Sequence, residues 1–448
     1  MKKILLLGAG LVTKPLVRYL LGKGFAVKVA SRTVSKAEAL IAGHPNGEAR
    51  TWTVDDKRGL KEMVGEADLT ISLLPAAHHV MVAEECIAQK KQMVTTSYVS
   101  PAMRALDRKA RDAGILVLNE IGVDPGIDHM SAMKIIHAVK NEGGKVTSFR
   151  SYCGGLPAPE ANTNPWGYKF SWSPKGVMLA GKNTGRYRKD GKIVDVPGPE
   201  LFTDVHILDV PDLSELEAYP NRDSMGYVDI YGLQEAQTVF RCTLRNKGWC
   251  ATLKKVVDAG LLDEKERDLK GQTFRTFTAS LIPDAKPESV KKDFAAHLGL
   301  SANSEPIEWM DWLGLFSDDK LPIEKGGAID VMTARMLEKM PYKKGERDML
   351  VMHHEFIAEY PSAGKKEKIT STLLDFGIPN GDSSMARTVS LPAAMAARLI
   401  LEGKINATGV HIPVSPAIYE PVMKELEEME NGIRFTERKT DLSVGVGS

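Results

Sequence analysis

The chain opens on a short apolar segment that runs directly into a glycine turn and then into an amphipathic stretch. Lys3–Leu7 is apolar and long enough for a buried strand, Gly8 and Gly10 follow it, and Val12–Leu21 has apolar residues at helical spacing. A strand that enters a helix through such a turn begins a doubly wound α/β domain, in which N–H groups at the helix start bind a pyrophosphate. This beginning favours a parallel sheet with crossover helices.

The next hundred residues repeat the alternation of apolar segments and amphipathic stretches. Strands are predicted at Phe25–Ala30, Ala49–Val54, Leu69–Leu74, Gln92–Thr96 and Ile115–Leu118. Helices are predicted at Ser35–Ile41, His78–Gln89 and Pro101–Ala113. Short strands that alternate with helices are typical of an α/β fold with an N-terminal Rossmann dinucleotide-binding domain.

The pattern changes after about residue 145. Alternating segments at Val146–Cys153, Lys192–Val196, Thr238–Leu244, Met349–Ile357 and Lys368–Leu374 predict a mixed sheet, and hence a second α+β domain. Residues 250–345 have mainly helical spacing and are predicted to form an inserted helical lobe. The apolar segment Leu391–Leu401 is predicted to pack back on the Rossmann domain.

These patterns divide the chain into three parts. We expect a Rossmann domain over residues 1–127, completed by residues 390–448, and an α+β domain for substrate binding and dimerisation over residues 128–249 and 346–389. Residues 250–345 would be the helical insertion. A chain of 448 residues exceeds what one compact core usually holds, which agrees with this division.

Charge and cysteine usage narrow the class of protein. The 59 Lys and Arg residues nearly cancel the 58 Asp and Glu residues, so no overall field attracts nucleic acid or an anionic membrane. The four cysteines form no CxxC pair, and no segment approaches the roughly 20 apolar residues of a membrane span. The apolar run at the N-terminus ends in a glycine turn rather than a cleavage site. We expect a cytoplasmic protein with reduced thiols, with no nucleic-acid or membrane partner.

Motifs for a metal or a serine nucleophile are absent from the sequence. No HExxH, CxxC or clustered His/Asp spacing predicts a metal site, and no GxSxG elbow predicts a nucleophile. His78 and His79 are interpreted as capping or surface groups at a helix start, and Asp128 and His129 as another helix start. Cys153 is interpreted as a small buried residue of a strand.

The residues at the end of the second strand select the dinucleotide. In NAD-dependent enzymes an acidic residue about twenty positions after the glycines binds the ribose 2′-hydroxyl. This chain has Ser31, Arg32 and Thr33 there. A carboxylate would repel a 2′-phosphate, whereas the Arg32 guanidinium can bind it bidentately and both hydroxyls can donate hydrogen bonds. NADP(H) is therefore the predicted cofactor, and the alternative is an exposed arginine without a ligand.

Several clusters of glycine, proline, polar and aromatic residues are typical of a ligand site built from loops. They are VTTSYVSP (94–101), GVDPGIDH (122–129), SYCGGLPAPE (151–160), NPWGYKFSWSP (164–174), YPNRDS (219–224) and TLRNKG (243–248). Together with GAGLVTKP (8–15), they resemble the glutamate-forming branch of the saccharopine dehydrogenase family. The resemblance has specific motifs up to about Lys247 and continues more weakly through KGERD (344–348) to the C-terminal apolar helix.

The resemblance implies a cofactor site and a substrate site. NADPH would contact Gly10, Leu11, Val12, Thr13, Lys14, Ser31, Arg32, Thr33, Thr53, Val54, Leu73, Thr96, Ser97, Val123, Asp124, Pro125 and Ser173. Saccharopine would contact Ser97, Tyr98, Asp124, Arg222, Thr243, Leu244 and Arg245. The chain departs from the family pattern at Thr53, where relatives commonly have Asp, and at Ala76, where an aromatic residue is common.

The resemblance also implies an oxidoreductase of lysine metabolism. The aldehyde of 2-aminoadipate 6-semialdehyde would condense with the amine of L-glutamate, and NADPH would reduce the resulting imine to saccharopine. Saccharopine is a tricarboxylate, and Arg222 and Arg245 are of the residue type that binds carboxylates bidentately. Asp124 is the first catalytic candidate and Tyr98 the second, for positioning or protonating the amine nitrogen. The same residues would serve lysine biosynthesis or lysine breakdown.

Two alternatives are left open by the residues alone. A related NADP(H)-dependent reductase of a polyamine-derived Schiff base would use the same Rossmann domain, but its cationic substrate calls for acidic residues where this chain has Arg222 and Arg245. A non-catalytic NADP(H)-binding sensor would bind the cofactor without turnover. The resemblance further implies a homodimer.

Overall fold

Parallel strands and helices alternate over the first 120 residues of the computed structural model, which describes residues 1–210 and 213–443. The strands of this part are β1 (Lys3–Leu7), β2 (Ala26–Ser31), β3 (Gly47–Thr51), β4 (Leu69–Ser72), β5 (Gln92–Thr95) and β6 (Leu116–Leu118). The helices that follow them are α1 (Lys14–Gly22), α2 (Val34–Ile41), α3 (Lys57–Glu66), α4 (His79–Ala88), α5 (Pro101–Arg104), α6 (Asp107–Asp112) and α7 (Ile127–Asn141).

The remaining chain contributes longer strands and a run of helices. The strands are β7 (Lys145–Pro157), β8 (Gly185–Lys189), β9 (Lys192–Val196), β10 (His206–Leu208), β11 (Leu216–Pro220), β12 (Thr238–Asn246), β13 (Arg267–Asp268), β14 (Lys325–Gly326), β15 (Asp348–Tyr360), β16 (Lys365–Phe376), β17 (Gly409–His411) and β18 (Phe435–Asp441). The helices are α8 (Pro174–Ala180), α9 (Gly226–Ile230), α10 (Trp249–Asp258), α11 (Phe274–Ala279), α12 (Val290–His297), α13 (Glu305–Leu313), α14 (Ala328–Lys339), α15 (Ser384–Leu401) and α16 (Pro416–Glu428). Among the described helices, none is long and apolar enough to cross a membrane.

The chain divides into two compact units. The first unit contains Met1–Lys145 and Leu373–Thr436, and the second contains Val146–Thr372 and, of the described C-terminal residues, 437–443. Each unit therefore joins two separate segments of the sequence.

The sheet of the first unit has the strand order β17-β6-β5-β4-β1-β2-β3, with parallel pairing throughout. Ile4 to Leu7 of β1 are at most 1% exposed. Burial on both faces explains why β1 has a continuous apolar sequence rather than an alternating one. The order of strand addition reverses between β1 and β4, so the carboxyl ends of these strands form the crevice in which doubly wound sheets bind ligands. The predicted Rossmann fold is confirmed.

The C-terminal segment completes the first unit. β17 adds a parallel strand beside β6, and α15 packs against α1. The predicted return of this segment to the Rossmann domain is therefore confirmed. The helix is longer than predicted because it begins at Ser384, where the Ser383 side chain accepts a hydrogen bond from the Ala386 N–H at 3.0 Å.

The sheet of the second unit has the order β10-β11-β12-β7-β15-β16-β18, and β8 joins it through β12 and β9 through β8. β12 pairs with β7 in parallel and with β11 in antiparallel orientation, so the sheet is mixed as predicted. Helices α10 to α14, with the short β13–β14 pair, lie between β12 and β15 in the sequence. This segment is the predicted helical lobe.

Candidate active site

The turn after β1 brings the backbone close to β4. Gly8 has a φ of 111°, and a Cβ atom there would lie 2.9 Å from the Leu73 carbonyl oxygen. Gly10 and Leu11 are exposed beyond this point, and a Cβ atom on Gly10 would meet nothing closer than Thr13 Oγ1 at 4.0 Å. Glycine at position 8 is therefore required by packing, whereas the open space at position 10 fits a ligand that approaches the backbone.

Helix α1 begins immediately after this turn. Its first residue is Lys14, which is exposed, and Thr13 precedes it as a buried cap residue whose Oγ1 has no hydrogen-bond partner among the described residues. The first N–H groups of a helix have no acceptor within it and carry a partial positive charge. The start of α1 is therefore suited to an anionic pyrophosphate, and the residues fit a dinucleotide.

Most of the other residues predicted to contact the cofactor lie at or just after the carboxyl ends of parallel strands. They are Ser31, Arg32 and Thr33 at the end of β2, Thr53 and Val54 after β3, Leu73 after β4, Thr96 and Ser97 after β5, and Val123, Asp124 and Pro125 before α7. The parallel sheet therefore brings these residues to one edge. Ser173 is the exception, because it caps α8 in the second unit and accepts a hydrogen bond from the Gly176 N–H at 3.3 Å.

Arg32 is exposed at the end of β2 and forms no ion pair with any described residue. Next to it, Ser31 Oγ accepts a hydrogen bond from the Thr33 N–H at 3.3 Å. This turn holds a guanidinium and two hydroxyl-bearing residues together without a carboxylate partner. The arrangement fits the 2′-phosphate of NADP(H).

The two catalytic candidates are in direct contact. Tyr98 follows β5 and Asp124 lies in the loop before α7, and Tyr98 Oη donates a hydrogen bond to Asp124 Oδ1 at 3.0 Å. Both side chains are half-buried, so they are partly open to a ligand. A tyrosine hydroxyl on a carboxylate fixes the orientation of both groups.

A buried glutamate joins the two loops that carry these residues. Glu120 Oε1 accepts a hydrogen bond from the Val99 N–H at 2.8 Å, and Glu120 Oε2 lies 2.7 Å from His129 Nε2. Glu120 has a φ of 57°, a conformation that costs a non-glycine residue of the order of 1 kcal/mol or more. The pair therefore ties the segment after β5 to the first turn of α7, and His129 does more than begin a helix.

His79 is a site residue that sequence reasoning missed. It is 4% exposed, and its ring nitrogens lie 2.9 Å from Ser72 Oγ and 2.8 Å from Ser97 Oγ. Burial lowers the pKa of His79 to about 4, with a smaller effect from His78. The interpretation of His79 as a capping or surface group is wrong, because the start of α4 faces the ends of β4 and β5. The available signal was a histidine at the first residue of the helix that follows β4.

In the second unit, Arg245 lies in an aromatic cage. Its guanidinium carbon is 5.0 Å from the Tyr168 ring centre, 5.4 Å from Trp249 and 6.0 Å from Tyr219. The residue is 4% exposed, its Nη1 donates to the Leu244 carbonyl at 2.7 Å, and its Nε has no partner among the described residues. No described carboxylate forms an ion pair with it. A buried cation in this state is suited to a carboxylate of a ligand.

Arg222 lies in a loop that is fixed on both sides. The Asn221 N–H donates to the Arg241 carbonyl at 2.8 Å, and the Arg222 carbonyl accepts from the Arg186 N–H at 2.9 Å. These bonds hold Arg222 at a φ of 56° while its side chain is exposed. Strained backbone at a non-glycine residue is concentrated at functional sites, which supports a binding role for this loop.

The other two residues of the predicted substrate set belong to β12. Thr243 is half-buried and Leu244 is fully buried, and a Cβ atom on Gly154 of β7 would lie 2.7 Å from the Leu244 carbonyl oxygen. The strand pair therefore packs closely beside Arg245.

Ion pairs join KGERD to two other motifs, one through a buried lysine and one at the surface. Lys169 of YKFSW is 3% exposed and its Nζ lies 2.6 Å from Glu346 Oε2 of KGERD. Arg347 of KGERD lies 2.7 Å from Glu160 Oε1 of the PAPE segment. These residues hold separate parts of the second unit together, and part of each motif is therefore structural.

The side chains that could bind a metal ion, and the cysteine thiols, form neither a metal site nor a reactive thiol site among the described residues. Within residues 1–210 and 213–443, no cluster of His, Cys, Asp and Glu could hold a metal ion. The four cysteines are buried and none of them forms a disulfide, and burial raises the pKa of Cys86 to about 12. Burial also raises the pKa of the Cys242 and Cys250 thiols, so these three thiols are held protonated.

Comparisons with known families match almost the whole chain. Residues 4–118 match the family described as "Saccharopine dehydrogenase NADP binding domain", and residues 122–433 match "Saccharopine dehydrogenase C-terminal domain".

Similar proteins and a solved structure cover the same extent. The chain is 41% identical to "Saccharopine dehydrogenase [NADP(+), L-glutamate-forming]" of Pyricularia oryzae, over 98% of this chain and 99% of the relative. It is 38% identical to "Alpha-aminoadipic semialdehyde synthase, mitochondrial" of Bos taurus, over 98% of this chain and 48% of the relative. The structure of apo saccharopine dehydrogenase (L-Glu forming) from Saccharomyces cerevisiae superposes with a TM-score of 0.88 at 40% identity, over 98% of this chain and 100% of that one.

Proposed function

The chain belongs to the saccharopine dehydrogenase family, and from this membership we propose that it is an NADP(H)-dependent oxidoreductase that interconverts saccharopine with 2-aminoadipate 6-semialdehyde and L-glutamate. The observation that carries the proposal is the buried guanidinium of Arg245, which no described carboxylate neutralises. A substrate with three carboxylates supplies the missing charge. A polyamine-derived cationic substrate does not.

Residues at the carboxyl edge of the first sheet would hold the cofactor. The turn at Gly8 and Gly10 and the start of α1 would bind the pyrophosphate, and Arg32 would bind the 2′-phosphate. When bound, NADPH supplies the hydride that reduces the imine carbon of the substrate.

The remaining steps depend on the orientation and charge of this chain's own residues. Arg245 and Arg222 would bind substrate carboxylates, and Thr243, Leu244 and Ser97 would be further substrate contacts. Asp124 would stabilise the positive charge of the substrate nitrogen and would take its proton or return it. Tyr98 would keep the Asp124 carboxylate in one orientation through the 3.0 Å hydrogen bond. An iminium carbon is electrophilic without further activation, so positioning and charge account for most of the chemistry asked of the protein.

We also propose a cytoplasmic homodimer. Four buried cysteines without a disulfide agree with a reducing compartment. Assembly as a dimer rests on the family resemblance, and the partner of the reaction is a small molecule rather than nucleic acid or a membrane.

The test is absorbance of the reduced nicotinamide during incubation with saccharopine and NADP⁺ or NAD⁺. We expect reduction with NADP⁺ preferred, and loss of that preference in Arg32→Asp because the new carboxylate repels the 2′-phosphate. Arg58→Asp is the matched control, since Arg58 is also exposed in the first unit and, among the described residues, its one ion pair is with Glu62 at 3.0 Å. Absence of turnover with saccharopine would overturn the proposal, and turnover with a polyamine-derived imine would replace it.

A further inference from the structure

His79 links two polar residues that follow neighbouring parallel strands. Its Nδ1 lies 2.9 Å from Ser72 Oγ at the end of β4, and its Nε2 lies 2.8 Å from Ser97 Oγ after β5. Thr95 Oγ1 is 3.4 Å from the same Nε2. The imidazole is therefore held between a fully buried hydroxyl on one side and a half-buried hydroxyl of the predicted ligand site on the other.

The burial of Ser72 decides which ring nitrogen carries the proton. Ser72 is 0% exposed, and among the described residues His79 Nδ1 is the one hydrogen-bond partner of its hydroxyl. If Nδ1 carried the proton, the Ser72 hydroxyl hydrogen would be buried without an acceptor, which costs about 1–3 kcal/mol. The opposite tautomer would give the buried Thr95 hydroxyl an acceptor in Nε2, but that contact is 3.4 Å long, whereas the Ser72 contact is 2.9 Å and is the stronger hydrogen bond. Ser72 therefore donates to Nδ1, and the proton of the neutral ring resides on Nε2.

This assignment sets the direction of the next hydrogen bond. Nε2–H donates to Ser97 Oγ, so one lone pair of the Ser97 oxygen is engaged and its own O–H is left to donate elsewhere. The reverse tautomer would make Ser97 donate to the ring and would leave only an acceptor for a ligand. Because burial keeps the pKa of His79 at about 4, the ring stays neutral and the direction does not change near neutral pH.

We propose that His79 is a positioning residue that makes the Ser97 hydroxyl a hydrogen-bond donor toward an oxygen of the bound ligand. The oxygen is that of a substrate carboxylate or of the cofactor, since Ser97 belongs to both predicted contact sets. The inference rests on the proposed function for the identity of the ligand. Its physical content, the coupling of Ser72, His79 and Ser97, lies wholly within the first unit.

Three variants separate the hydrogen bond to Ser97 from the bond to Ser72. His79→Asn keeps a partner near Ser72 and loses the donor to Ser97, whereas His79→Gln places an amide N–H near the position of Nε2. Ser97→Ala removes the hydroxyl itself. We expect His79→Asn and Ser97→Ala to raise the KM for saccharopine or the Kd for NADPH by about tenfold, as for one lost oriented hydrogen bond. His79→Gln should stay within about threefold of the wild type.

The double variant His79→Asn/Ser97→Ala tests the coupling. If His79 acts through Ser97, the double variant is no worse than Ser97→Ala alone. If the two effects multiply to about a hundredfold, His79 does not act through Ser97 and the proposal is overturned. Thermal unfolding midpoints of all variants show whether a loss of stability contributes to the loss of binding. For the positioning role to hold, His79→Gln must recover ligand binding and not only the unfolding midpoint.

Two readouts keep this proposal separate from the proposed function. The KM for saccharopine reports the substrate, and a fluorescence titration reports NADPH binding without turnover. If the wild type binds NADPH but does not oxidise saccharopine, the proposed function fails, while coupling of His79 and Ser97 in NADPH binding still supports the positioning role. Absence of coupling in both readouts overturns the positioning role even when turnover is normal.

Discussion

Two arginines, Arg387 in the first unit and Arg245 in the second, are buried to the same extent and differ in their partners. Each is 4% exposed. Arg387 Nη1 lies 3.1 and 3.2 Å from the two Asp375 oxygens, and the guanidinium also donates to the Asn431 carbonyl. Arg245 donates to one carbonyl, is surrounded by aromatic rings, and meets no described carboxylate.

The two arginines differ in which group offsets the desolvation free energy of the buried guanidinium, a carboxylate of the protein or a ligand. Removing a guanidinium from water costs several kcal/mol, about what a well-placed carboxylate returns. Arg387 recovers this energy within the protein, and Ser384 Oγ donates a further hydrogen bond to Asp375 at 2.6 Å. Arg245 has no such partner, so the energy is available to a ligand carboxylate. The partner, and not the burial, separates a structural arginine from a binding one.

The largest effect is expected at Arg245. Arg245→Met should lower kcat/KM for saccharopine roughly 10³-fold, because the substrate carboxylate loses a desolvated cation as its partner. This fold-change corresponds to a loss of about 4 kcal/mol in transition-state binding. The free energy of unfolding should stay the same or rise, since an unneutralised buried charge is replaced by an apolar side chain. Steady-state kinetics and urea unfolding measure the two quantities.

Arg245→Lys serves as the charge-conserving control and should remain strongly impaired, because an ammonium cannot reproduce the planar fork. The contrary result would be a less stable Arg245→Met whose activity falls only in proportion to the folded fraction. Arg245 would then be a structural residue like Arg387.

The next effect concerns stability at Arg387. Arg387→Met should lower the free energy of unfolding by about 3–5 kcal/mol, because Asp375 is left buried and unpaired. The folded fraction should keep a normal KM for saccharopine. In the double variant Arg387→Met/Asp375→Leu, much of the stability should return, as measured by urea unfolding. An unstable double variant would show that Arg387 acts through packing alone.

The pH dependence of the Arg387→Met penalty sharpens the comparison further. Burial raises the pKa of Asp375 above its ordinary value although Arg387 opposes the shift. A carboxyl with a raised folded-state pKa contributes stability below its unfolded pKa and loses it as the pH rises through the folded one. Without Arg387 this loss grows, so the penalty should be small at acid pH and largest at neutral pH. Stability of Arg245→Met relative to wild type should show no matching dependence. Urea unfolding at several pH values measures the stability change of each variant. The same pH dependence for Arg387→Met and Arg245→Met would contradict the conclusion that Arg387 acts through the Asp375 carboxylate.

The smallest effect is expected at Arg222, which is exposed and has a φ of 56°. Arg222→Gly should raise the KM for saccharopine about five- to tenfold, because an exposed charge contributes roughly 1 kcal/mol, and the effect should shrink as salt is added. Arg222→Ala should raise the KM equally but be less stable than Arg222→Gly by about 1 kcal/mol, because glycine adopts positive φ without strain. Equal stability of the two variants would show that the loop carries no strain.

Much of the fold could be predicted because its signals are local. β1 and β9 fall at the predicted residues, 3–7 and 192–196, since apolar runs and alternation define strands without reference to distant partners. The sequence does not predict α3, because Gly59 and Gly65 weaken its helical pattern. There the Asp56 side chain stabilises the helix start by accepting a hydrogen bond from the Gly59 N–H at 2.8 Å.

Other elements depend on partners far along the chain. The predicted single helix Pro101–Ala113 is wrong in one respect, because α5 ends at Arg104 and α6 begins at Asp107. Asp107 Oδ1 accepts a hydrogen bond from the Val410 N–H at 2.8 Å, from a strand 303 residues away. No local pattern contains that contact.

The candidate site divides in the same manner. Tyr98, Asp124 and Arg245 stand in motifs that the resemblance singles out, and their roles stay predictions until the variants are measured. His79 and Glu120 lie outside such reasoning, because their significance depends on which strand ends and loops meet in space. The aromatic cage of Arg245 is likewise assembled from Tyr168 and Tyr219, residues of two other segments.

The position of β17 has a consequence for how the protein is made. This strand covers the edge of β6 and pairs Val410 with Val117, yet it leaves the ribosome nearly three hundred residues after its partner. Until then, β6 has an open edge that exposes unpaired N–H and C=O groups to other nascent chains. We therefore expect chains that terminate before Gly409 to accumulate in inclusion bodies, while the complete chain protects its own edge.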